Sequence, residues 1–167
     1  MEYPAPFSQE FLDDLPYDPQ VLFLDRIEEL DREASRIVCR MPTTQPMPFT
    51  DHQRAHAVKH PRHVNGAVMI QLTANLGFVH AYHFENLKHV DGWIGYGTHI
   101  HKAVFRKLVT PGAPMMCSCT QLKIRRGKSR MFSTYRFRFE HEGDLAYESE
   151  QSAMWIKTAP GEAVTLP

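Results

Sequence analysis

The chain has 167 residues, of which 43% are hydrophobic, 23% charged and 11% aromatic. That composition fits one compact domain and excludes a disordered chain, a collagen-like repeat and a disulfide scaffold. Lys plus Arg and Asp plus Glu both number 19, so the formal charge is zero and no general nucleic-acid binder is expected.

Residues 1–20 are proline-rich and predicted to be irregular, and their acidic start lacks the apolar stretch of a signal peptide. An apolar run over 21–30 predicts a first strand. Residues 35–41 predict a second strand, or the continuation of a bent one. Residues 42–62 carry four prolines and three histidines and form a long loop, a length usually tied to function or mobility. From His63 to Phe84 no residue bears a formal charge, long enough to span a bilayer. Asn65, Gln71, Thr73, Asn75, His80 and His83 interrupt it at a cost that lipid does not repay, so a helix over roughly 64–84, buried on most sides of a protein fold, is expected instead of a membrane span.

Four strand-like blocks follow at 93–105, 114–126, 130–141 and 144–157, punctuated by Pro111-Gly112, Gly127 and Gly143. The expected fold is α+β: a long central helix wrapped by a curved antiparallel sheet of about five strands. It occupies a single domain at 21–158, with a tail at 159–167. Such a sheet leaves unpaired edges, which a homodimer would cover; a tetramer stays open as well. Three cysteines (Cys39, Cys117 and Cys119) are an odd number, and Cys117 and Cys119 alternate along one strand without an easy bridge, which points to a reducing cytoplasm.

At the junction of loop and helix, KHPRHVNGAVMIQLTANLGF (59–78) resembles the central-helix start of hot-dog acyl-thioester enzymes, with LFLDRIEEL similar to their first strand and GYGTHIHKAVFRKLVTPGAPM to the segment after the helix. The resemblance extends over about residues 20–157. It includes the β-hydroxyacyl-ACP dehydratases, whose helix begins at Pro-Gly with an acid five residues on. Here Asn65 replaces the proline before Gly66, and Gln71 replaces the acid. The dehydratase histidine belongs nine residues before the glycine, whereas His60 stands six before and His56 ten. His63-Val64-Asn65, the apolar helix with Asn75, and VFRKLVTPG are more similar to the FcoT-type long-chain fatty acyl-CoA thioesterases, although the second asparagine of that pattern falls at Ala74 here. The resemblance implies a hot-dog fold and chemistry based on amides rather than on a carboxylate. Members of that family are also implicated in adding glycine to enoyl thioesters.

The residues themselves define a candidate site at the helix N-terminus, where free N–H groups and the helix dipole can polarise a thioester carbonyl. Gly66 permits close approach of a ligand to the main chain. Asn65 can cap the helix or position water, Gln71 can hold a water by its amide, and His60 or His63 can move a proton. Val64, His56 and Asn75 are candidate substrate contacts. Lys102 and Arg106, with Arg125 and Arg126 of the cationic hairpin 123–130, are candidates for coenzyme A phosphates or an acidic carrier protein, and a solvated surface is the other reading. His52, His56, His60 and His63 are spaced by four, four and three, but the prolines around them and the lack of a carboxylate beyond Asp51 argue against a metal. No cofactor is expected. Three functions remain open: hydrolysis of acyl-CoA or acyl-ACP thioesters, a 3-hydroxyacyl-thioester dehydratase or enoyl-thioester lyase, and a non-catalytic subunit that binds acyl chains or a carrier protein.

Overall fold

The computed structural model describes residues 2–54, 56 and 58–159. The expected tail therefore lies, apart from Ala159, outside the described residues. Among the described residues seven strands form one antiparallel sheet: β1 (Ala5–Pro6), β2 (Arg26–Asp31), β3 (Arg36–Met41), β4 (Trp93–Phe105), β5 (Met115–Arg126), β6 (Arg130–His141) and β7 (Asp144–Lys157). Their order across the sheet is β1-β2-β3-β5-β6-β7-β4, so the long strand β4 lies at one edge. Two helices accompany it: α1 (Gln9–Asp14) and the twenty-residue α2 (Gly66–Glu85).

Period-two alternation explains the sheet's two faces. Along β6, Met131, Ser133, Tyr135, Phe137, Phe139 and His141 are buried, while Arg130, Arg136, Arg138 and Glu140 are exposed. β5 buries Met115, Cys117 and Cys119 on the same inner face. All three cysteines are buried free thiols, and burial pushes each of them up, so they stay protonated packing groups. Against this inner face lies α2, which buries Val68, Met69, Leu72, Leu76 and Val79. Full burial of such side chains is worth about 1.5–3 kcal/mol each, and this packing, not helix propensity, holds α2 in place. Asn86 in the left-handed region ends the helix, its N–H donating to the Ala81 carbonyl.

Three sequence expectations are corrected. The sheet has seven strands rather than five, because the two-residue β1 joins β2 and because the first apolar run and its neighbour are separate strands joined at a turn. The first strand starts at Arg26, not residue 21: Pro19–Val21 form a turn of 3-10 helix and Phe23 has a φ of 59°, which breaks an extended run. The segment 1–20 is not irregular throughout, since Ser8 caps α1 by accepting from the Phe11 N–H, and Phe11 inserts into the core.

His80, on the inner side of α2, is fully buried; its Nε2 lies 3.0 Å from the Ser35 carbonyl and its ring stacks on Phe84. Burial holds its imidazole at about 4, below the ordinary 6.5, and burial also lowers His83. Between these limits the unfolded chain takes up a proton that the folded chain refuses, so stability falls as the pH drops from 6.5 towards 4. The expected loss from His80 is roughly 3 kcal/mol across that window. Urea unfolding at a series of pH values should show the decline, and His80→Gln should flatten it; an unchanged slope in the variant would contradict this origin.

Candidate functional site

The start of α2 is built by the loop before it. Thr50, buried in that loop, accepts a hydrogen bond from the Asn65 N–H through its Oγ1 (3.0 Å). Gln53 Oε1 accepts from the His63 N–H (3.0 Å), and Asp51 accepts from the Met47 N–H (2.7 Å) and pairs with Arg62. Val64, buried, is fixed from the other side by its N–H, which donates to the Val109 carbonyl (2.8 Å). These loop side chains replace the regular backbone ladders that a proline-rich segment cannot make.

Asn65 is the N-cap: its Oδ1 accepts from the Ala67 N–H at 2.8 Å. Its carbonyl accepts the first helical bonds, from Val68 and Met69. Among the described residues neither the Gly66 N–H nor the Asn65 Nδ2 has a partner. Two donors therefore remain at the positive end of a twenty-residue helix. Gly66 also has a steric reason to be glycine, because a Cβ there would lie 3.1 Å from the ring of Phe105, the last residue of β4. The aromatic ring and the bare amide are thus neighbours.

His63 stands two residues before the cap and is half-buried. Its Nδ1 lies 2.9 Å from the Pro61 carbonyl, which assigns the proton to Nδ1 and leaves Nε2 as an acceptor. His60 packs its ring 4.8 Å from that of His63, centroid to centroid. His56 and His60 are exposed and pair with each other through their backbones. Gln71 is half-buried one and a half turns into α2; its Nε2 donates to Asn75 Oδ1 (3.1 Å), leaving Oε1 free among the described residues. It borders an open trough of about 420 Å³ with Ala67, Val68, Phe23, Phe49 and Tyr17.

The other candidates stand apart from this group. Asn75 is a buried tie: its Nδ2 donates to the carbonyls of Val21 (2.8 Å) and Leu22 (2.7 Å), and its oxygen receives Gln71. A residue so fully engaged has nothing left for a substrate. Lys102 and Arg106 both donate to Glu148 Oε1 (2.9 and 2.6 Å), and these hydrogen bonds hold the Glu148 carboxyl at about 2. Arg106 follows Phe105 directly, so this cationic pair lies at the Gly66 end of β4. Arg126 binds Glu85 (2.6 Å) at the opposite end of α2, roughly 28 Å from Gly66 at the helical rise, and the exposed Arg125 lies beside it in sequence. His99 and His101 on β4 are exposed, with His101 Nε2 2.7 Å from Ser152 Oγ. Among the described residues no group of three or more His, Cys, Asp or Glu could hold a metal ion. No helix among them is long and apolar enough to cross a membrane.

Sequence reasoning missed Thr50 and Gln53, since loop side chains that grip a backbone ten or fifteen residues away leave no periodic signal. It also missed Phe105. The Asn75 assignment has a direct check: Asn75→Leu strands the carbonyls of Val21 and Leu22 and is expected to destabilise by about 1–3 kcal/mol. Denaturant unfolding should show that loss, and unchanged stability would mean the tie to the 19–22 segment is not structural.

No protein-family model matches the chain. Solved structures do resemble it. A point mutant of the thioesterase PA1618 from Pseudomonas aeruginosa superposes with a TM-score of 0.60 at 13% identity, covering 92% of this chain and 96% of that one. The thioesterase HI1161 from Haemophilus influenzae gives 0.55 at 20% identity, covering 94% and 96%. A putative thioesterase from Ralstonia eutropha, described as phenylacetic acid degradation-related, gives 0.52 at 14% identity over 77% and 82%. At these identities the likeness concerns the backbone fold alone. The chain has the α+β hot-dog fold.

Proposed function

We propose that the protein hydrolyses acyl thioesters, carried on coenzyme A or on an acyl carrier protein. The observation that carries this reading is the Gly66 N–H at the start of α2, unpartnered among the described residues and one residue before Ala67, which borders the same trough as Gln71. A thioester carbonyl laid against that amide is polarised by one hydrogen bond and by the helix dipole. Gln71 Oε1 and Asn65 Nδ2 are an acceptor and a donor that can orient a water. His63 Nε2 takes the proton as the water oxygen bonds to the carbonyl carbon. The carbon–sulfur bond then breaks, and the proton passes to the departing thiolate. The acyl chain lies along the trough past Phe23, Phe49 and Tyr17, and Lys102 with Arg106 supplies positive charge for phosphates near Phe105.

A dehydratase reading needs an acid on α2, and Gln71, tied to Asn75, has no proton to give. The thioesterases whose fold is shared support hydrolysis over that alternative. Among the described residues strand β4 pairs only with β7 and leaves a thirteen-residue strand at the edge, with Ile100 and Phe105 about half exposed, so a homodimer joined along β4 belongs to the same proposal, with a cytoplasmic location.

Asn65→Asp separates a cap from a water-positioning group. Aspartate caps as well as asparagine and suits the positive helix end, so the melting temperature should stay near the parent value. It lacks the amide donor, and its charge opposes a developing oxyanion. Thiol release from acyl-CoAs should fall by about 10²–10³. Full turnover in the folded variant would reduce Asn65 to a cap. Supplying the parent protein with enoyl and 3-hydroxyacyl thioesters checks the rival: interconversion without thiol release would replace hydrolysis by a lyase, and binding without either would leave a non-catalytic subunit.

A further inference from the structure

Towards the C-terminal end of α2 a cavity of about 280 Å³ lies between that helix, α1 and the paired strands β4 and β7. Tyr17, Phe78, Tyr82, Trp93 and Trp155 border it, together with Asp14. Tyr17 is 50% exposed and Phe78, Tyr82 and Trp93 are half-buried, whereas Trp155 is buried. The Phe78 ring stands edge-on to Tyr17 (74° between planes, centroids 5.9 Å apart) and to Trp155 (88°, 5.3 Å), so these rings meet nearly at right angles, as the walls of a box do. At Gly95 a Cβ would lie 2.3 Å from the Trp155 ring, and only glycine lets the indole lie against β4 there.

Asp14 is held in place by the main chain. Its Oδ2 accepts from the His89 N–H and its Oδ1 from the Val90 N–H, both at 2.8 Å, and each oxygen keeps a further lone pair. Among the described residues no Lys, Arg or His side chain forms an ion pair with this carboxylate, and the nearby Lys88 is spent on Glu10 Oε1 (2.6 Å). Burial raises the Tyr82 hydroxyl above its ordinary value and the charge of Asp14 adds to it, which sets that carboxylate near the ring. Residues 1–25 include Glu10, Asp13, Asp14 and Asp18 and no Lys, Arg or His, so this segment brings negative charge to its side of the cavity. No Lys or Arg borders the cavity; His89 does, with its Nδ1 3.4 Å from the Trp93 carbonyl.

Aromatic faces attract a cation through the ring quadrupole, most strongly where water is excluded. Two of these rings already carry one: Lys88 Nζ lies 5.3 Å from the Tyr82 centroid and Lys157 Nζ 5.8 Å from that of Trp93, and neither lysine borders the cavity. An anion would be repelled by Asp14, and a neutral group would leave that carboxylate without a counter-charge. A primary ammonium needs three acceptors, more than walls of rings and aliphatic side chains supply, whereas a methylated one presents methyl groups that such walls accept. We propose that this cavity binds a methylated ammonium group, with Tyr17, Phe78, Tyr82 and Trp93 as its cation–π partners and Asp14 as its counter-ion. Tyr82 lies sixteen residues along α2 from Gly66, roughly 24 Å at the helical rise, so the site is distinct from the helix start and the proposal stands apart from the acyl-thioester reading.

The chain has two tryptophans and both border the cavity, so their fluorescence reports on this site. The test titrates the full chain with choline and with 3,3-dimethylbutan-1-ol, its uncharged carbon analogue, at pH 8, where histidine carries no charge. Choline is expected to bind more tightly by about 10-fold. Asp14→Asn and Tyr17→Leu should each weaken choline by about 5-fold and leave the alcohol near its parent affinity. If Asp14→Asn lowers the melting temperature by loosening the 88–90 turn, Tyr17→Leu, which alters an exposed side chain, decides the matter alone. Equal binding of choline and the alcohol would overturn the proposal and leave a plain apolar cavity. So would a fluorescence response that ammonium chloride reproduces at equal concentration, a choline preference that survives both substitutions, or no response to choline at all.

Discussion

The hydrogen bond from Ala67 to the Asn65 side chain decides what the start of α2 can offer. By taking up the second helical amide it leaves the first, on Gly66, with no partner among the described residues. It also engages Asn65 Oδ1, while Nδ2 has no partner among the described residues. Asn65 is itself held by Thr50, a loop residue fifteen positions earlier, so the geometry of the helix start depends on the fold of the loop. Without that grip the N-terminal turn would fray, as unsupported helix ends do, and the free donor would have no fixed direction. The candidate chemistry is thus a consequence of capping, and the capping is a consequence of tertiary contacts.

A similar dependence runs along the rest of α2. The helix is apolar on most of its circumference and cannot be stable with only the sheet beneath it. The segment 14–23 covers part of the other side, and Asn75 pins that segment by two backbone carbonyls. What remains uncovered is a run of troughs past Gln71, Ala74 and Phe78, all bordered by Tyr17. The polar residues that looked out of place in an apolar helix therefore divide the work. Asn75 holds a cover in place, Gln71 faces the trough, and Thr73 turns its hydroxyl back onto the Ile70 carbonyl of its own helix (2.6 Å).

Most of the fold was legible from local chemistry. The strands at 93–105, 130–141 and 144–157 have the predicted limits because runs of strand-forming residues are punctuated by glycine-containing turns. The start of α2 was readable because asparagine before glycine, ahead of an apolar run, is a capping signal. α1 was missed: it is six residues long, and Ser8 with Phe11 gives too short a pattern to stand out in a proline-rich region. Of the candidate site, Asn65 and Gly66 form the start of α2, His63 stands two residues before the cap and Gln71 one and a half turns into the helix. Their supports, Thr50, Gln53 and Phe105, act through contacts between distant parts of the chain and carry no local signature. The charges of Lys102 and Arg106 were visible, but their pairing with Glu148 depends on the register of β4 against β7.

The central claim is that the Gly66 amide receives the thioester carbonyl. The amide proton resonance of Gly66, followed by NMR while a non-hydrolysable acyl-CoA analogue with a methylene in place of sulfur is added, tests it most directly. A strong downfield shift of that proton at saturation is the expected result, since the amide exchanges a weak solvent contact for a hydrogen bond to a polarised carbonyl. Saturable binding of the analogue that leaves the Gly66 resonance unmoved would contradict the claim.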